Sequence, residues 1–87
     1  MHVRHVFDVI RNKELLTELS WRKYYDNGTS LWEYKIFKGN SRKPIAFVQI
    51  CQTDVTGVVF GLTLTYANDI QHPIDCNTLE HFNNVLN

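Results

Sequence analysis

The chain has 87 residues, 44% of them hydrophobic and 13% aromatic, and a formal net charge of zero. That length sets a single small globular domain over residues 1–87, and that apolar content excludes a disordered chain. No apolar run reaches the ~20 residues of a membrane span, and MHVRHVFDV lacks the unbroken apolar stretch of a signal peptide, so the sequence predicts a soluble, cytoplasmic protein.

The neutral total hides a segregation. All nine Lys and Arg lie between Arg4 and Lys43, beside five acids, which leaves that half at +4. From Pro44 onward there are four acids and no Lys or Arg. Such asymmetry sets a field across the domain unless folding interleaves the halves. Cys51 and Cys76 form no CxxC pair, and without an export signal free thiols are the expected state.

The first segment has a phase conflict. Val3, Val6, Phe7 and Ile10 share one helical face, with Trp21 and Tyr24 returning to it, while Leu15, Leu16 and Leu19 fall opposite. One straight helix does not hold both sets. The pattern predicts a break near Asn12 and a helix from Lys13 to about Lys23, and leaves the stretch before Lys13 open between helix and strand. Asp26-Asn27-Gly28 then turns the chain.

β-branched and aromatic content predicts strands at Leu31–Lys38, Ile45–Gln52 and Val58–Tyr66, joined by short turns into an antiparallel meander. Asp75 is the expected N-cap of a final helix whose stripe is Leu79, Phe82, Val85 and Leu86, with Ile74 and Leu79 as a hydrophobic staple. The predicted class is therefore α+β in the order α-β-β-β-α: a three-stranded antiparallel meander with an N-terminal and a C-terminal helix packed mainly on one face.

Trp21-Arg22-Lys23-Tyr24 resembles, over four residues, the tetrapeptide of a family of zinc-containing DNA-binding domains in plants. There it sits on a strand, continues into Gly-Gln-Lys and precedes two close cysteines and a His-x-His pair. Here Tyr25-Asp26-Asn27 follows and the cysteines stand 25 positions apart, so the zinc-binding half is absent. A helix end is the alternative, with Trp21 and Tyr24 toward the core and Arg22 and Lys23 favouring the C-terminus. The order α-β-β-β-α is also similar to that of double-stranded-RNA-binding domains. Those carry lysines at the start of the second helix, whereas DCNTLEH has none.

No catalytic or cofactor motif occurs, and none of the His and Cys residues has metal-ligand spacing; His2 and His5 are expected at the surface. The sequence predicts no enzyme activity, no cofactor and no metal.

One surface does need an explanation. Alternation points Val58, Phe60, Leu62, Leu64 and Tyr66 inward on the third strand, with Trp32, Tyr34 and Ile36 on the first. Placing Ala46, Val48 and Ile50 inward on the middle strand leaves Gln49 solvated and puts Phe37, Ile45 and Phe47 on the face away from the helices. Adjacent exposed aromatic residues mark an interaction surface. The expected function is a non-enzymatic protein-binding module (inhibitor, adaptor or immunity-type protein), contacting its partner through Phe37, Ile45 and Phe47, with Arg42 and Lys43 on the adjoining turn. The partner is another protein or a second copy of the chain, as a homodimer. The alternative is nucleic-acid binding by the basic first half, with Trp32 or Phe47 as stacking groups.

Overall fold

The computed structural model describes residues 1–87. Its elements run α1 (Val3–Asn12), β1 (Leu15–Tyr24), β2 (Thr29–Lys38), β3 (Ala46–Thr53), β4 (Val59–Tyr66), β5 (Ile74–Asp75) and α2 (Leu79–Val85). The strands form one antiparallel sheet in the order β1-β2-β3-β4-β5. The α+β class and the antiparallel meander are therefore right, but the sheet has five strands rather than three. No helix is long and apolar enough to cross a membrane.

The first correction lies at the chain break. The break falls at Lys13 and Glu14, but the structure on its far side is the reverse of the expected helix. Val3–Asn12 is the helix, capped by His2, whose Nδ1 accepts from the Arg4 backbone N–H at 3.0 Å. His2 is thus a half-buried cap rather than a free surface histidine. Glu14 then takes φ 59, a left-handed turn that stops the helix. Beyond it Lys13–Lys23 is not a helix but mostly β1. Good helical propensity in LLTEL yields here to pairing along nine residues of β2. The opposed apolar sets follow: Leu15 belongs to a strand, so helical phase never applied to it.

Trp21 to Tyr24 accordingly end a strand and not a helix. The β1–β2 turn closes as expected at Asp26-Asn27-Gly28, with Tyr25 N–H donating to Thr29 O at 2.9 Å and Gly28 at φ 80.

A second correction concerns β4. Opposite it, Cys51 pairs with Gly61 but Gln52 pairs with Val59, so Phe60 is the extra residue of a β-bulge. The bulge inverts the faces on one side of it. Leu62 and Leu64 are buried as expected, but Val59 takes the inward place while Phe60 is 62% exposed and Val58 46%. Sequence alternation cannot register such an insertion.

A third correction moves the last cap. Asp75 lies in β5, and Thr78 caps α2 by accepting from His81 N–H at 3.0 Å. Ile74 is correspondingly a strand residue facing Leu64, not half of a staple.

Both helices lie on the same side of the sheet. Val6 and Ile10 from α1, and Phe82 and Leu86 at α2, pack with Ile36, Ala46, Val48, Ile50, Leu62 and Leu64 in one core. Each of these side chains except that of Ala46 contributes roughly 1.5–3 kcal/mol when fully buried. Lys13 locks the two helices together: its Nζ donates to Asn83 O and Leu86 O, both at 2.6 Å, where the last carbonyls of α2 have no helical partner. Tyr66, inward as expected, donates its hydroxyl to Val85 O.

The two sheet edges differ. Along β4, Met1–Val3 covers one end, through Val59 N–H to Met1 O at 2.7 Å and Val3 N–H to Gly57 O at 2.9 Å, and β5 covers the other. Beyond β1 there is no further strand.

Candidate interaction site on the open sheet face

The face away from the helices is defined by strand register. Side chains of paired residues stand side by side on it, in rows across the sheet. The first row is Leu16 and Phe37; the next is Glu18, Lys35, Phe47 and Thr65. Then come Trp21, Glu33, Gln49, Thr63 and Asp75, and finally Lys23, Leu31, Cys51 and Gly61.

The centre of this face is polar and internally satisfied. Gln49 Nε2 donates to Glu33 Oε1 at 3.0 Å, and Thr63 Oγ1 to Asp75 Oδ1 at 3.1 Å. The apolar groups lie toward its ends. Phe37 and Phe47 are half-buried on this face without a helix above them, and Leu16 is 61% exposed; Trp21, 41% exposed, stands instead at the β1 edge of the polar row.

Near one end a hollow of about 470 Å³ opens between β1, β2 and the β2–β3 connection. Leu16 and Phe37 supply its apolar surface, and Glu18, Lys35 and Arg42 its charges. The structure thus brings Phe37 and Arg42 together, two residues singled out from the sequence. Lys43 is exposed on the same connection, held by its N–H to Ser41 Oγ at 3.3 Å. Ile45 behaves differently. It precedes β3, is half-buried and packs against the core, so it borders the open face rather than contributing a free side chain.

Leu16, Glu18 and Trp21 also belong to this face, on a segment whose composition predicts helix. No period of two marks them: in Leu15-Leu16-Thr17-Glu18-Leu19 the apolar residues fall at i, i+1 and i+4, so alternation does not reveal the strand.

On the opposite face, aromatic groups continue past the helices. Trp32 stacks on Tyr34, centroids 6.4 Å apart and planes 7° from parallel, and Phe7 meets Tyr34 edge-on at 4.8 Å. Arg22 lies over both Trp32 and Tyr24, at 5.5 and 5.7 Å. Trp32 Nε1 donates to Ser30 Oγ at 2.7 Å, and Ser30 Oγ donates to Asp54 Oδ1 at 2.6 Å. These contacts occupy Trp32 with its own neighbours. Nowhere do three His, Cys, Asp or Glu side chains gather so as to hold a metal ion.

Comparison with protein-family models, with curated proteins and with solved structures found no match to this chain.

Proposed function

We propose that this chain is a non-enzymatic protein-binding module, and that its open sheet face takes another protein. The observation that carries this reading is the hollow where Leu16 and Phe37 lie beside Lys35 and Arg42. Apolar surface bordered by two cations and one acid, Glu18, suits a partner segment that carries apolar side chains and an excess of acidic ones. Phe47 neighbours Lys35 on β3 and extends that contact along the face, with Lys43 at its rim. A cytoplasmic setting belongs to the same proposal and rests on the two cysteines, which are free thiols.

Nucleic-acid binding by the basic half draws less support. Three of its cations are engaged within the fold: Arg11 pairs with Asp8, Lys13 caps α2, and Arg22 lies over Trp32. Phosphate contact requires cations free to replace counterions.

The test is affinity capture with the intact chain against its Phe37→Glu and Phe47→Glu variants, each checked for a native circular dichroism spectrum. A partner retained by the native chain and lost by both folded variants supports the reading. Capture that is indifferent to both substitutions overturns it.

A further inference from the structure

We infer that β1 is a second contact surface, at which two copies of this chain pair edge to edge about a two-fold axis at Ser20 and Trp21. This inference does not depend on the identity of what the open face binds, although Leu16 and Glu18 belong to both surfaces.

The argument starts from backbone groups. Tyr25 pairs with Thr29 through a hydrogen bond, so by antiparallel alternation Lys23 and Trp21 also face β2, and Arg22 and Tyr24 face outward. Along β2, which has no insertion, Glu33, Lys35 and Phe37 point toward β1. Their partners beyond the bulge, Glu18 and Leu16, therefore face β2, and Leu15, Thr17 and Leu19 face outward. The register slips between Leu19 and Trp21, where Ser20 is the extra residue. The outward backbone groups thus fall at Thr17 and Leu19 before the bulge and at Arg22 and Tyr24 after it. That set is symmetric about the Ser20–Trp21 bond. A second β1 laid antiparallel matches Leu19 to Arg22 and Thr17 to Tyr24, with N–H opposite C=O in each case.

Side chains agree with this register. Glu18 and Lys23 both stand on the open face, and the pairing sets Glu18 of one copy beside Lys23 of the other, twice over. Leu16 meets Tyr25, whose side chain is 43% exposed. On the other face Leu19, 40% exposed, lies along Arg22. Shifting by two residues would instead oppose Glu18 to Trp21 and Lys23 to Leu16, which loses the charge match. Unlike the β4 edge, this edge pairs with no other strand along its ten residues, of which only Leu15 is buried. The axis stands normal to the sheet, so both open faces would look the same way and form one continuous surface.

The experiment is sedimentation equilibrium of the full chain up to about 100 μM, with variants at the edge and on the face. The native chain should be a dimer. Glu18→Lys and Lys23→Glu should each weaken it by roughly tenfold, since two ion pairs become two repulsions, and the double reversal should restore it. Leu19→Pro, which removes an outward N–H, should give a folded monomer. A native chain that stays monomeric overturns the inference, as does a dimer that tolerates both single reversals. A dimer lost only with Phe47→Glu also overturns it and moves the contact to the open face.

Discussion

Cys51 lies directly across from Gly61, so closely that a Cβ at Gly61 would stand 3.1 Å from Cys51 Cβ and 3.2 Å from its Sγ. This tight pair adjoins the step at which Phe60 is pushed out of the ladder. The bulge therefore has a definite energetic signature. Leu62→Ala should cost ~2–5 kcal/mol, because Leu62 is 3% exposed in the core. Phe60→Ala should cost less than ~1 kcal/mol despite removing a larger side chain. Urea denaturation of both variants decides it, and equal losses would place Phe60 back in the core.

Gly57 joins the N-terminal segment to the sheet. It has φ +71, and a Cβ there would meet His2 Nε2 at 2.8 Å. Gly57→Ala should destabilise by ~1–3 kcal/mol, from backbone strain and displacement of the helix cap. Hydrogen exchange should show the loss first at Val3 and Val59, whose N–H groups bond across this junction.

Lys13→Met keeps most of the side-chain stem but removes the ammonium from Asn83 O and Leu86 O. A hydrogen bond from a charged group contributes ~1.5–3 kcal/mol, so chemical denaturation should show a loss of that order. Lys13→Arg should recover part of it.

Alkaline pH should weaken the fold. Burial pushes the Tyr34 phenol above its ordinary 10.0, with Arg22 opposing and Tyr24 adding. Burial likewise raises Cys51 above 9.0, and burial with the charge of Asp75 raises Cys76. All three folded values exceed the unfolded ones. Their contribution is therefore complete below the ordinary values and is lost as pH rises through the folded ones. Thermal melts from neutral pH to about 10.5 should show a falling Tm, and Tyr34→Phe should lessen the fall.

Ser20 buries its hydroxyl without a hydrogen-bond partner. Ser20→Ala removes an unsatisfied polar group and should leave stability unchanged or raise it by up to ~1 kcal/mol. A clear loss in a urea melt would mean that the hydroxyl is satisfied.

What the sequence made legible follows from where side-chain periodicity and pairing agree. On β2 and β3 they do: Trp32, Tyr34, Ile36, Ala46, Val48 and Ile50 all face the helices, and Phe37 and Phe47 face away. Around Leu15 to Tyr24 they conflict, because helix-forming residues there gain more from pairing with β2 than from their own hydrogen bonds. Phe60 and Ser20 share a different cause. Each is one residue inserted in a ladder, visible only when the opposite strand is known. Asp75 departs from the expected cap because an acid before a helix also serves in a strand, where Thr63 bonds to it. Arg42 joined Phe37 in one hollow through the fold of the β2–β3 connection, which no periodicity describes.

Strand order that repeats chain order has a kinetic consequence. Each ladder from β1 to β4 closes only a short loop, so its nucleation entropy is small and hairpins form in ~1–10 μs. Two closures are long by comparison: Met1–Val3 onto Gly57–Val59, and Lys13 onto the end of α2. The folding barrier should therefore sit where the N-terminal helix docks, after the meander has assembled. Gly57→Ala and Lys13→Met weaken contacts made at that barrier, and should slow refolding more than they speed unfolding.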